Sequence, residues 1–271
     1  MHDLSFAQVS ARRLKQGPPP NCSRAAATRA YYTGASLWHR AMIPLRDSEA
    51  SHRLTLTNTC LIAANIAVFA YEVHIGRNAE HFMRRYAMVP MRITHLATRR
   101  GYRFDALATL ITSLFLHAGF LHIAGNMLYL FIFGPAVEER LGHFRFLLFY
   151  LLAGIAAGLA MVAMGPDSHV AVIGASGAIA GVLGAYFVLY PRGRIMTILP
   201  LFIFVQFIEV PAVFYLLFWF ALQLWSGISA GAQGPLVGGV AWWAHVGGFL
   251  FGVAIGPLLA HHRAKSIRRK R

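Results

Sequence analysis

Acidic residues are scarce in this sequence: 10 Asp and Glu among 271 positions, against 25 Lys and Arg. Charged residues of both signs make up only 13%, about half the share a soluble domain carries. So little charge cannot coat a globule of this length, which excludes an ordinary soluble protein. Cysteine is rarer still. Cys22 sits in a polar stretch and Cys60 in an apolar run, which argues against a structural disulfide between them. No Cys/His spacing of the zinc-binding kind occurs. Neither a metal nor an organic cofactor is expected.

What fills the chain is hydrophobic residues, 57% of the total, with a mean hydropathy of +0.53. Six spans of ~20 apolar residues use roughly 120 positions, and the sequence supplies them. The expected class is an all-α polytopic membrane protein. The candidate spans are Leu54–Tyr71, Phe120–Val137, Phe144–Met164, Val170–Tyr190, Val210–Gly227 and Ala241–Ala260. The shorter run Ile195–Ile208, just before Glu209 and Pro211, reads as a membrane-buried or interfacial connector.

The formal charge of +15 would suggest nucleic acid in a soluble domain. Here the basic residues flank the spans, where they orient helices and meet anionic lipid. The lipid bilayer is therefore the expected partner, and nucleic acid is not. The loops 165–169 and 228–240 contain no Lys or Arg, whereas Arg140, Arg145, Arg192, Arg194 and the tail from Arg263 fall on the other side. That asymmetry places both termini in the cytoplasm. One connection conflicts with it. Between the first two spans lie Arg77, Arg84, Arg85, Arg92, Arg99, Arg100 and Arg103, mixed with Phe82, Tyr86, Met88, Met91, Ile93 and Leu96, a pattern suited to the headgroup layer.

Residues 1–50 are polar, Arg-rich and interrupted by Gly17-Pro18-Pro19-Pro20, without the apolar run of a signal peptide. They read as a disordered cytoplasmic tail, with Met42 as a candidate true start, although the composition also resembles a transit peptide. Residues 51–262 form the membrane domain and 263–271 a basic tail.

Polar groups inside apolar spans are costly, so each is a functional hypothesis. His122 and Asn126, four apart, share a helical face. Ser176 opens the fourth span and His245 stands near the start of the sixth, which puts all four at a common depth. A serine beside an imidazole is a nucleophile with its general base. Gly248, Gly252 and Gly256 share a face with His245, and Gly177, Gly181 and Gly184 line the fourth span. Small residues at this spacing let helix backbones approach closely. A serine at a helix N-terminus also has free N–H groups and the positive dipole end beside it, and His122 and Asn126 are further donors to an oxyanion. Gly174-Ala175-Ser176-Gly177-Ala178 is not the Gly-x-Ser-x-Gly elbow of α/β-hydrolases.

Taken alone, Ser176 reads more readily as a packing or backbone-bonding serine and His245 as an interfacial or helix-bonding histidine. Glu138 and Arg140 suit a structural turn network, Glu209 a helix cap, and His117 a tie between loop and span. Glycines from Gly227 to Gly239 suit a mobile loop.

Together these segments resemble the rhomboid intramembrane serine proteases. Leu116-His117-Ala118-Gly119-Phe120-Leu121-His122-Ile123-Ala124-Gly125-Asn126 looks like their His…His-x-x-x-Asn motif. Gly174-Ala175-Ser176-Gly177 resembles Gly-x-Ser-Gly, and Ala244-His245 through Gly248 and Gly252 resembles Ala-His-x-x-Gly-x-x-x-Gly. The run Gly134-Pro135 to Leu141-Gly142 is also rhomboid-like. The resemblance covers about residues 43–260 and implies a six-helix rhomboid bundle. It implies Ser176 as nucleophile, His245 as base in a dyad without a third acid, and an oxyanion hole from His122, Asn126 and the Ser176 N–H. It further implies cleavage of single-pass transmembrane proteins near the outer end of their helix, and a bacterial inner membrane as the setting. The sequence departs from the family at two places. Ala108-Thr109 stand near the position of a Trp-Arg pair, and Ala180 replaces the aromatic that stacks on the catalytic histidine; the Trp242-Trp243 pair is the candidate substitute. The alternatives are an inactive relative that binds membrane helices and a transporter with a histidine proton relay. The latter requires internal repeats, and none is evident.

Overall fold

Long charge-poor runs become helices because, in hydrocarbon, each peptide group has to be satisfied within its own segment. In the computed structural model, residues 43–49, 55–95, 103–201, 204–230 and 240–268 are described. Strand β1 (Ile43–Asp47) precedes α1 (Leu56–Ile75). A connection follows with α2 (Ala79–Tyr86), α3 (Pro90–Thr94) and α4 (Arg103–Thr112). Then come α5 (Phe120–Leu141), α6 (His143–Met164) and α7 (Ser176–Leu189). Strands β2 (Arg194–Leu201) and β3 (Phe204–Pro211) lead to α8 (Ala212–Ala230) and α9 (Trp242–Arg268).

Five helical stretches are long and apolar enough to cross a membrane: Leu56–Tyr86, Phe120–Leu141, His143–Met164, Ala212–Ser229 and Trp242–Ala260. The protein is an integral, multi-pass membrane protein. The expected span Val170–Tyr190 is shorter than anticipated. Its helix, α7, starts only at Ser176 and has 14 residues, about 21 Å. Gly174 interrupts it with φ +115, a backbone only glycine adopts at ease, so the preceding residues stay extended. The practical result is a helix N-terminus set into the bundle rather than at its rim.

Helix α7 is apolar all round and every residue from Gly177 to Tyr186 is buried, as expected of a central helix. Its closest neighbour is α9. A Cβ on Gly248 would overlap the Gly177 carbonyl oxygen, one on Gly252 the Gly181 carbonyl, and one on Gly184 the Phe249 carbonyl. These three positions bring the two backbones into direct contact. Gly177 and Gly181 also face α6, where Cβ atoms would meet Ala157 and Ala153.

The all-α expectation needs correction. Residues 194–211 form an antiparallel pair, Arg194 opposite Pro211 through Leu201 opposite Phe204, and β1 adds to it by pairing Ile43 with Ile198 and Asp47 with Ile195. The run 195–208 is therefore two strands of a three-stranded sheet. β-branched and aromatic residues favour that pleated surface, and Ile195 and Thr197 point inward while Met196 does not. Residues 43–47, expected in the disordered tail, are its edge strand. Glu209 caps no helix: it lies on β3 and pairs with Arg194 at 3.5 Å.

At the same end of the bundle, the Glu138 carboxylate accepts the Thr57 N–H (2.9 Å) and the Asn58 N–H (2.7 Å) and meets His143 Nδ1. It thereby satisfies first-turn donors of α1 that the helix cannot satisfy itself. Arg140 lies over the Tyr190 ring. The long first connection folds onto protein instead of resting wholly in the headgroup layer. Ala87, Met88, Val89 and Ile93 are buried, and Met88 exchanges both backbone hydrogen bonds with Val172. Arg77, Arg84, Arg85 and Arg92 remain exposed; Leu96, Arg99 and Arg100 lie outside the described residues, as do residues 231–239 of the glycine-rich loop.

Candidate active site

The bridge between Met88 and Val172 holds the strand-like segment that enters α7. Gly174 then turns the chain, its N–H donating to the Ser113 carbonyl at 2.8 Å, and Ser176 begins the helix. Its side chain is half-buried. On α9, His245 is 8% exposed, and its Nε2 lies 2.8 Å from Ser176 Oγ. The glycine contacts between α7 and α9 set this distance, because a residue with a side chain at Gly248 would force the helices apart.

Opposite them, His122 and Asn126 rise from the first turns of α5. The Ala118 N–H donates to His122 Nδ1 at 3.3 Å. An imidazole nitrogen that accepts carries no proton, so the ring proton sits on Nε2. This Nε2 borders Gly174: a Cβ built there would lie 2.8 Å from His122 Nε2 and 3.6 Å from Asn126 Nδ2. Asn126 is oriented in turn by His117, with Nδ2 and Nε2 3.0 Å apart. The amide donates, because His117 Nδ1 faces the Phe115 carbonyl at 3.3 Å and holds the proton there. Burial pushes the His117 pKa down to about 3 and the neighbouring His122 adds to the effect, so the ring works as a neutral hydrogen-bonding strut. The Glu72 carboxylate accepts its backbone N–H at 3.4 Å.

The structure thus brings Ser176 and His245 into hydrogen-bond contact and places His122 and Asn126 against the turn that leads to the serine. Gly177, Gly181, Gly248 and Gly252 are where the surrounding helices touch. A small apolar cavity of about 20 Å³ lies beside Ser176, lined by Leu110, Leu114, Ala157, Val172 and Ala244 among others.

Two residues near His245 were not anticipated, both on α8. Gln223 Oε1 lies 2.7 Å from His245 Nδ1, and the Trp219 ring lies 5.9 Å from the imidazole, tilted by 36°. Trp242 meets the imidazole edge-on at 6.3 Å, whereas Trp243 packs near Gly227 instead. Ala180 is fully buried beside Gly248; α7 and α9 approach too closely there for a ring. The aromatic contact therefore comes from α8 in place of α7. The signal for Gln223 was available in principle, since it is an amide in a span free of charge.

Residues 105–262 match the Rhomboid domain family model. The chain belongs to the rhomboid family. It is 30% identical over 194 residues to the Rhomboid-like protein 11, chloroplastic, of Arabidopsis thaliana, covering 70% of this chain and 63% of that one. It is 47% identical over 76 residues to the rhomboid protease GluP of Bacillus subtilis, covering 28% of this chain and 14% of that one. With the rhomboid protease AarA of Providencia stuartii it shares 27% identity over 236 residues, 81% of this chain and 78% of the relative. The chain thus spans less than two thirds of the length of the first two.

Proposed function

We propose that this protein is an intramembrane serine endopeptidase that cleaves single-pass transmembrane proteins near one end of their helix. The observation that carries the reading is the 2.8 Å contact between Ser176 Oγ and His245 Nε2 within a bundle of membrane-spanning helices. Ser176 Oγ attacks the scissile carbonyl carbon while His245 Nε2 takes the hydroxyl proton. The tetrahedral oxyanion is held by the His122 Nε2–H, the Asn126 amide and the Ser176 backbone N–H, donors aimed where charge develops. Collapse breaks the C–N bond, and His245 returns the proton to the leaving amine. Water, deprotonated by the same imidazole, then hydrolyses the ester and regenerates Ser176.

Carbonyls tied into i→i−4 bonds cannot take up the attack geometry, so helices with Gly, Pro or small residues near the cut are the expected substrates. Lys/Arg placement favours a six-span topology with α7 as the short fourth span, both termini in the cytoplasm, and the site opening outward. We assign residues 51–262 to the protease domain, with 1–50 a tail that donates β1 and 263–271 a basic tail. A bacterial inner membrane is the proposed setting. An inactive helix-binding relative would tolerate displacement of Ser176 or His245, and the two are in contact.

The test is reconstitution in liposomes with a panel of single-pass helices carrying small-residue sites, read by mass spectrometry of the products. Cleavage by the wild type, absent in Ser176→Ala and His245→Ala, supports the reading. Binding of the helices without cleavage at any site would reject it in favour of the helix-binding alternative.

A further inference from the structure

The mechanism above needs the His245 proton on one particular nitrogen. Nε2 has to present a lone pair to the serine hydroxyl, so Nδ1 has to carry the proton. A histidine in solution exchanges between the two tautomers, and a ring with nothing at Nδ1 would spend part of its time unable to accept. A hydrogen-bond acceptor fixed at Nδ1 removes that loss. In soluble serine proteases the acceptor is a carboxylate. A carboxylate buried among apolar helices carries a heavy desolvation cost.

We infer that Gln223 is a positioning residue that closes the dyad into a Ser176–His245–Gln223 chain with a neutral third group, and this rests on the protease reading. Three observations carry it. Gln223 Oε1 is 2.7 Å from His245 Nδ1, a distance typical of a well-formed hydrogen bond. An amide oxygen only accepts, so Nδ1 donates and the opposite nitrogen, Nε2, is left to accept from Ser176 Oγ at 2.8 Å. Both members of the pair are buried, Gln223 at 5% and His245 at 8% exposure, so water is a poor competitor for the bond.

The placement of the group adds a consequence. Trp219 and Gln223 are four apart on α8 and therefore share a face, and both reach His245. One turn of α8 thus supplies the tautomer-fixing acceptor together with the ring contact that Ala180 on α7 does not provide. An amide is also sufficient in kind: Cys-His-Asn proteases orient their histidine with an amide oxygen. In a membrane the amide has the further merit of remaining neutral, so burying it with its hydrogen bond made incurs no ionic desolvation cost.

The experiment compares wild type, Ser176→Ala, Gln223→Met and Gln223→Glu as full-length protein in detergent, using a fluorophosphonate probe. In the labelling step the Ser176 Oγ–P bond forms, the P–F bond breaks, fluoride leaves and the hydroxyl proton passes to His245. Methionine keeps the length and approximate volume of glutamine without the amide oxygen; glutamate restores an acceptor. Saturation kinetics separate the limiting labelling rate from the half-saturating probe concentration, and each variant's melting temperature is measured alongside. The expected result is a fall of about 10- to 100-fold in the limiting rate for Gln223→Met, a fraction of a full general-base contribution. Half-saturation stays unchanged, and Gln223→Glu recovers most of the rate. In the wild type, 15N spectra of labelled histidine, with the His245 signal identified by its loss in His245→Gln, show the proton on Nδ1.

Labelling of Gln223→Met at the wild-type rate overturns the inference. So does a rise in half-saturation alone, which would make Gln223 an access residue, and so does failure of glutamate to rescue. A His245 proton found on Nε2 overturns it independently of any activity. Wild type that does not label at all overturns the protease reading instead, and the tautomer spectrum, taken on the same sample, still decides the Gln223 bond.

Discussion

Replacing Gly174 by alanine tests the oxyanion cradle without touching any group assigned a chemical role. Two effects follow from the structure. The residue has φ +115, a conformation that costs a residue with a Cβ roughly 1–3 kcal/mol. The new Cβ would also lie 2.8 Å from both Cε1 and Nε2 of His122. Ordinary van der Waals contact begins near 3.4 Å, so ring or turn has to yield by about 0.6 Å. The turn is restrained by the Gly174 N–H bond to Ser113, and His122 by the bond to Ala118, so part of the shift falls on the imidazole donor. Removal of one oxyanion donor in serine proteases costs about 10²–10³ in rate. The expected outcome is a fall of about 10² or more in fluorophosphonate labelling per folded molecule, with a lowered melting temperature. Gly256→Ala is the control: its Cβ would meet the Ala185 Cα at 3.0 Å, far along α9 from His245, so it lowers stability and leaves labelling per folded molecule intact. Gly174→Ala labelling at the wild-type rate would refute the cradle, and an equal loss in Gly256→Ala would show that the effect is general unfolding.

Other expectations follow from the same contacts. Gly252→Ala drives a methyl into the Gly181 carbonyl, and overpacking of this kind costs about 1–3 kcal/mol; a melting temperature equal to wild type would contradict the α7–α9 contact. Glu138→Ala leaves the Thr57 and Asn58 N–H groups without their acceptor, a loss of about 1–3 kcal/mol that thermal melts would register, with labelling of the remaining folded protein unchanged. His117 is predicted to make the protein acid-labile. Its pKa is pushed from 6.5 to about 3, so the folded state binds fewer protons than the unfolded one, and stability declines as pH falls from about 6.5. Asp47, pushed up by burial to about 6, acts with the opposite sign, so the comparison belongs in an Asp47→Asn background. There, melting temperature falls less steeply between pH 7 and 5 in His117→Gln than in the parent, and equal slopes would contradict the assignment.

The residues that mark the site in the sequence are those whose chemistry is unusual at their position. Ser176, His245, His122 and Asn126 stand out because a membrane span has little use for polar side chains, and Gly248 and Gly252 because their spacing gives a smooth face. The start of α7 was harder to place, since hydropathy continues unbroken from Val170 to Tyr190 while the helix depends on the backbone of Gly174. The sheet was missed for a related reason. Ile195–Ile208 is apolar enough to resemble a buried connector, and its partner strand Ile43–Asp47 lies about 150 residues away in a polar region. Pairing over that distance leaves no local mark. Gln223 carried the same kind of signal as Asn126 but lay in no motif, so only the fold could show that it faces His245. The same holds for Glu138, whose role as a cap for α1 depends on a helix 80 positions earlier.

The most direct test of the central claim is covalent labelling of purified, full-length protein by a fluorophosphonate, with the modified peptide identified by mass spectrometry. A single adduct on Ser176 is expected, lost in Ser176→Ala and in His245→Ala. Folded wild type without an adduct, or an adduct on another serine that survives both substitutions, would contradict it.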